Sequence, residues 1–317
     1  MKRAFSSGIL NHCYQRTIDD IVIFYNVSDY LVYFTLFCVT AKKYGVRVLA
    51  LSPMPDHIHY SVITDSLAGL RAFVDEQTSL FSRANNESCH RRGPLFEVPF
   101  GSAPKNGAKK ARANIIYVGN NGVERQLASK AEEYRWNFLA YAKSTHPFSE
   151  PLILRKASWY MNRAVREVRA EYKRGKPMTY PMLQRLFSKL EKRERLQLVD
   201  FIITTYNVID YETAARFFDG YDNMISAMHS NTGSEYDLNE VFIGKSDRCY
   251  NKMTKILIRE LSLKDIHDIF LLSEQKRTDL FIYLHGKVDA NPRQIAKFLR
   301  IPFVENGEKV GLSRRGR

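Results

Sequence analysis

Apolar residues in the first sixty-odd positions fall into short alternating runs around one helical block, which predicts strands and helices packed as layers. Residues 9–14 read as a first strand and residues 21–25 as a short apolar run. Ser28 is the expected N-cap of a helix reaching about Lys43, with Leu31, Phe34, Phe37 and Cys38 at helical spacing and Gly45 as its stop. Residues 46–51 and 57–63 read as strands joined by a tight turn at residues 52–56, a hairpin by pattern. Asp65 or Ser66 caps a second helix reaching about Ala84, with Leu67, Leu70, Phe73, Val74, Leu80 and Phe81 inward.

From residue 85 to 110 the pattern turns polar and basic, apart from an expected short strand at residues 95–98. Such a run is either a solvated loop or a surface that grips a phosphate backbone. A third helix is expected from about residue 108 to Asn121, closed by Asn120-Asn121-Gly122. Strands and helices in this order describe an α+β fold, an antiparallel sheet with packed helices. Beyond about residue 150 strand signals vanish. Helices are expected at residues 157–172, 178–190, 192–206, 211–229, 246–261, 263–273, 275–285 and 292–300, with breaks at Gly175-Lys176-Pro177, Gly220, Gly233 and Gly286. The chain of 317 residues therefore divides into a mixed domain at 1–148 and an all-α accessory domain at 149–317, close to the soft expectation of ~150 residues per domain.

Composition adds a partner. The net charge is +14 and the pI about 9.5, a surface that attracts polyanions, nucleic acid first. No segment has the ~18 consecutive apolar residues of a membrane span, and the opening residues lack a signal-peptide core, so a cytoplasmic protein with no membrane partner is expected. The four cysteines form no C-x-x-C pair, which supports neither a zinc knuckle nor a disulfide framework.

The candidate chemistry begins with His57-Ile58-His59. In a strand the two imidazoles face the same way and can share one metal ion, although the same spacing also arises from two ordinary half-buried histidines. The surrounding motifs extend the pattern. Asn11-His12-Cys13-Tyr14-Gln15-Arg16, Tyr44-Gly45-Val46, Met54-Pro55-Asp56-His57-Ile58-His59, Gly93-Pro94-Leu95-Phe96, Tyr117-Val118-Gly119-Asn120-Asn121 and Tyr134-Arg135-Trp136 follow one another over roughly residues 8–141. In that order they resemble the single-tyrosine HUH transposases, in particular the REP-associated tyrosine transposases, whose signatures include Met-Pro-Asn-His-Val-His, Gly-x-Leu-Phe, Tyr-Ile-x-x-Asn-Pro and Tyr-x-Trp.

The resemblance implies an HUH nuclease domain of ferredoxin-like or RRM-like build, working on single-stranded or hairpin DNA as a monomer or homodimer. It implies Tyr117 as the nucleophile that forms a 5′-phosphotyrosine, with Mg2+ or Mn2+ held by His57, His59 and Asn121. The chemistry is coherent, since a phenol with a pKa of ~10 is a poor nucleophile and an anionic phosphate resists attack unless a cation polarises it. Tyr117 also reads as a core tyrosine and Asn121 as a helix C-cap. Two positions depart from the family pattern. Asp56 stands for the usual Asn and can be a turn residue, a ligand or a support for one, and Gly122 stands for the usual Pro. Arg91, Arg92, Lys105, Lys109 and Lys110 are the expected DNA-binding cations, with Tyr60, Phe96 or Trp136 available to stack a base. Trp136 reads equally well as core.

Residues 291–299 are similar to the first helix of a helix-turn-helix, with Asn291 as N-cap, but Pro302 and the Gly-containing stretch after it stand where the recognition helix belongs. The rival to the transposase reading is a non-catalytic hairpin-DNA-binding protein derived from one, with a scaffold role third.

Overall fold

In a computed structural model that describes residues 4–98, 100–230, 246–305 and 308–310, the first third of the chain builds a four-stranded antiparallel sheet. Its strands are β1 (Leu10–Arg16), β2 (Arg47–Met54), β3 (His57–Ile63) and β4 (Gly101–Pro104), in the order β2-β3-β1-β4. β2 and β3 form the expected hairpin, with Met54 opposite His57 and only Pro55 and Asp56 between them. The strand expected at 95–98 is reduced to one bridge between Phe96 and Thr17, and the edge strand lies just beyond it. Gly-Ser-Ala-Pro has no β-branched residue to announce a strand. Gly101 is nevertheless required there, because a Cβ at that position would stand 2.1 Å from the ring of Tyr14, its partner across the ladder.

One sheet face is apolar. Cys13, Ile58, Tyr60 and Val62 join a core with α1 (Val27–Lys43) and α2 (Leu67–Ser88), where Phe37 meets the rings of Tyr60 and Phe73 at 5.3 and 5.2 Å. α1 is capped by Asn26 rather than Ser28. The Asn26 side chain accepts from the Asp29 N–H at 3.1 Å, and the Asp29 carboxylate accepts from the Asn26 N–H at 3.0 Å. This reciprocal pair satisfies two orphan donors at once, which Ser28 alone cannot do. The other sheet face is covered by α3 (Ala108–Glu124), flanked by α7 (Tyr211–Arg216) and α8 (Tyr221–Ser230).

The rest of the chain is helical, with α4 (Trp159–Lys173), α5 (Tyr180–Phe187) and α6 (Lys192–Tyr206) packed on the α1 side in one continuous apolar cluster. α9 (Arg248–Glu260), α10 (Glu274–His285) and α11 (Pro292–Leu299) form a second cluster that takes in Val22 and Tyr25. The helix expected at 211–229 divides at Gly220 into α7 and α8, and that expected at 263–273 is a short 3-10 turn, Ile266–Leu271. Among the described residues no recognition helix follows α11. The chain enters a small hairpin, β5 (Phe303–Glu305) and β6 (Glu308–Val310). Gly233 and the basic tail from Arg314 lie outside the described residues. No described helix is long and apolar enough to cross a membrane.

Candidate active site

Strand alternation places His57, His59 and Ser61 of β3 on the α3 side of the sheet, beside His12 and Tyr14 of β1. His59 lies at the centre. Its Nδ1 is 3.1 Å from His12 Nε2, its Nε2 is 3.4 Å from the Tyr117 hydroxyl, and its ring centroid is 5.0 Å from that of His57. Tyr117 rests on Ala50 and Val118, and its ring meets the edges of both His59 and His12. The two strands and the helix thus bring His57, His59 and Tyr117 together. The group is buried: Tyr117 is 3% exposed, His57 7% and His59 1%.

His12 is a member of this cluster that sequence reasoning left unassigned. His12 and Tyr14 share the i, i+2 spacing of His57 and His59, so the signal was present. Only the β1–β3 register, which sets Tyr14 opposite His59, shows that the two pairs face one another.

Asp56 takes the turn position among the roles anticipated for it, and it also contacts His57. It occupies the hairpin turn, and its Oδ1 accepts from His57 Nδ1 at 2.6 Å. That bond leaves Nε2 as the lone-pair nitrogen of His57. The other carboxylate oxygen accepts from Lys297 Nζ at 3.1 Å, a contact brought from α11 across 241 positions of sequence. Burial alone would raise the Asp56 carboxyl, but Lys297 and the His57 bond hold it well below the usual carboxylate range. Lys297 and Arg293 also reach Asp20, at 3.6 and 3.1 Å. The basic residues of the helix-turn-helix-like segment are therefore engaged by the carboxylates of Asp20 and Asp56. Nearby Asp247 is pushed up to about 6 by its burial and by the charge of Asp56.

The third helix does not end at Asn121. It runs to Glu124, with the Arg125 N–H bonded to the Asn121 carbonyl, so Asn121 is interior and not a C-cap. Its side-chain nitrogen donates to the Tyr117 carbonyl at 3.0 Å, which leaves its amide oxygen as the atom it can offer a cation. Gly122 is explained by Tyr134. A Cβ there would stand 2.5 Å from the Tyr134 ring, whose hydroxyl donates to the Pro53 carbonyl just before the histidine hairpin.

Among the described residues, no group of three or more His, Cys, Asp and Glu side chains is arranged to hold a metal. Two imidazoles on one strand and an amide oxygen remain as a donor set, with His57 already oriented by a carboxylate as metal-binding histidines usually are. His59 meets His12 through Nδ1 and the Tyr117 hydroxyl through Nε2, so a cation on His59 would take the place of one of these contacts.

The expected DNA-binding cations lie at two places. Arg92 is exposed on the loop after α2, where Arg91 donates to Asn86 Oδ1 and to the Gly93 and Pro94 carbonyls. Lys105 follows β4, and Lys109 and Lys110 are exposed on the first turn of α3, about two helical turns before Tyr117. Of the anticipated stacking rings, Tyr60 and Phe96 are buried on the apolar side, and Trp136 is stacked on Tyr30 at 4.2 Å. These three belong to the core.

No family model and no curated protein matches the chain. Among solved structures, one similar to it is that of a REP-associated tyrosine transposase bound to a REP hairpin, at 12% identity and a TM-score of 0.37, covering 43% of this chain and 79% of that one. A likeness at that level is distant, and the site has to be read from its own geometry.

Proposed function

We propose that the chain is a metal-dependent DNA strand transferase that cuts single-stranded or hairpin DNA through Tyr117. The observation that carries this reading is the approach of the Tyr117 hydroxyl to His59 Nε2, 3.4 Å apart on facing elements, with His57 beside them. A phenol next to a histidine pair is an arrangement suited to attack on a phosphodiester. The ordered motifs of residues 8–141 supply the substrate class.

In this reading His57, His59 and the Asn121 amide oxygen would hold a Mg2+ or Mn2+ ion, His59 giving it the Nε2 lone pair that now meets the Tyr117 hydroxyl, and the ion would polarise the scissile phosphate. Asp56 fixes the His57 tautomer, and Lys297 fixes Asp56. His12 orders the His59 ring. When His59 donates through Nδ1 to His12, its Nε2 lone pair faces the site. The Tyr117 oxygen forms a bond to phosphorus as the bond from phosphorus to the 3′-oxygen breaks. The phenol proton passes to water and the leaving 3′-oxygen takes one from water, leaving a 5′-phosphotyrosine and a free 3′-hydroxyl. The ester linkage keeps the energy needed for rejoining.

The burial of Tyr117, His57 and His59 favours a second reading, a hairpin-DNA-binding protein that no longer cuts. One experiment separates the two: a labelled hairpin oligonucleotide with a single-stranded flank is incubated with Mg2+ or Mn2+ and resolved under denaturing conditions. The strand-transferase reading expects a covalent adduct from the parent chain and none from Tyr117→Phe. Tight binding by the parent chain with no adduct across metals supports the second reading.

A further inference from the structure

We propose that the surface where α4 and α6 begin is a separate contact for single-stranded nucleic acid, with Trp159 and Tyr160 as base-stacking platforms. Trp159 is 61% exposed and Tyr160 48%. They occupy the first two positions of α4, while that helix buries Met161, Ala164, Val165 and Val168 on its inward side. The fold therefore needs neither ring, and leaving both in water is unfavourable unless something covers them.

The platform is fixed from below. The Ser158 side chain caps α4, accepting from the Met161 N–H at 3.1 Å, and Glu194 of α6 accepts from both the Ser158 N–H and its hydroxyl, at 2.8 and 2.9 Å. The Asn162 side chain donates to the carbonyls of Leu154, Ala157 and Ser158, which ties the preceding turn to the same helix. The two rings stand edge to face, with centroids 5.2 Å apart.

Charge selects the occupant. Arg155 and Lys156 are exposed on the turn before α4, and the Arg163 guanidinium lies over the Trp159 ring at 5.6 Å. Arg193 is exposed at the start of α6, and its partner is Glu150 at 2.8 Å, an exposed pair of the kind that contributes little. Cations interleaved with partly exposed aromatic rings, in a chain of net charge +14, suit a strand whose phosphates and unstacked bases are both available. A duplex would present phosphates without base faces.

This inference does not depend on cleavage, so it is tested in the full chain carrying Tyr117→Phe, with a fluorescein-labelled (dT)20 as probe. The double change Trp159→Ala with Tyr160→Ala weakens binding by roughly tenfold or more and lowers the melting temperature by only a few degrees, because both rings lie outside the buried core. Changing Arg155, Lys156 and Arg163 to Gln makes the dependence of log affinity on log salt shallower by about 2, at ~0.7 per lost phosphate contact. Oligonucleotide binding also quenches the part of the tryptophan emission that Trp159→Phe removes. Affinity and salt slope within twofold of the parent, with Trp159 emission unmoved at saturation, overturn the proposal. Self-association without nucleic acid that the double change abolishes also overturns it, assigning the patch to a second copy of the chain. In chains that retain Tyr117, adduct formation on a minimal hairpin is unaffected by the double change, so loss of this surface and loss of the cleavage chemistry read out separately.

Discussion

The two faces of the sheet are made by the same strands and are equally dry, yet they are chemically opposite. Toward α1 and α2 the strands present Cys13, Ile58, Tyr60 and Val62 to a cluster of aromatic rings. Toward α3 they present His12, His57, His59 and Ser61 to Asn114 and Tyr117, with Ser61 donating to Asn114 Oδ1 at 2.7 Å. Burying polar groups yields at best a modest net stabilisation once their bonds to water are lost, whereas burying apolar area is the main driving force of folding. The α1 and α2 face therefore carries most of the sheet's apolar packing, while on the α3 face an apolar cluster around Leu10, Leu49 and Ile115 sits beside a histidine patch that needs another reason to be polar. The reaction proposed for Tyr117 would be such a reason.

The comparison breaks most visibly if the two faces respond alike to mutation. Phe37→Ala on the apolar face is expected to lower stability by about 3–5 kcal/mol in a urea titration, while Tyr117→Phe, which removes one hydroxyl, costs about 1 kcal/mol or less. Equal losses would make the polar face a structural core. Gly122→Ala comes next, at about 1–3 kcal/mol by thermal melting, because the new methyl meets a Tyr134 ring that its bond to Pro53 holds in place. Lys297→Met sharpens the picture at the site itself. Mn2+ affinity, measured calorimetrically without DNA, is expected to fall about 10–100-fold as Asp56 loses one of the groups holding it against His57. An unchanged affinity would mean that the hairpin turn alone positions Asp56.

The smallest effect concerns the buried acid on the apolar side. Asp29 is bonded to the Tyr25 and Asn26 N–H groups and the Tyr180 hydroxyl, with His267 Nε2 at 3.1 Å. Burial alone would lower the His267 imidazole, but the Asp29 carboxylate outweighs it and holds the group well above the usual histidine range. A raised folded pKa gives a contribution that is complete below the unfolded value of about 6.5 and is lost as pH climbs through the folded value. Stability should therefore fall from pH 6 to pH 9 in the parent chain and fall less in His267→Gln. Equal slopes would leave His267 uncoupled from Asp29.

Much of the sheet was legible because alternation and turn residues are local. The β2–β3 hairpin, the shared face of His57 and His59 and the helix carrying Tyr117 all follow from spacing within a dozen residues. What escaped depends on tertiary register. His12 joins the site only through the antiparallel pairing of β1 with β3, and Lys297 arrives from α11 with nothing nearby in sequence to mark it. The edge strand at Gly101 was hidden because a residue chosen to clear the Tyr14 ring looks like a loop residue. The boundaries of α1 and α3 shifted for capping reasons. Asn26 with Asp29 displaced Ser28, and Gly122 proved to be a packing position inside the helix rather than its stop.

The central claim is that the polar face exists to let Tyr117 attack a phosphate. Its most direct measurement is to digest the covalent product of a hairpin oligonucleotide with the parent chain in Mn2+ and locate the nucleotide-bearing peptide by mass spectrometry. The expected result is a nucleotide on Tyr117, with no such peptide from Tyr117→Phe. An adduct on a different tyrosine, Tyr14 for instance, or an adduct that persists in Tyr117→Phe, would contradict it.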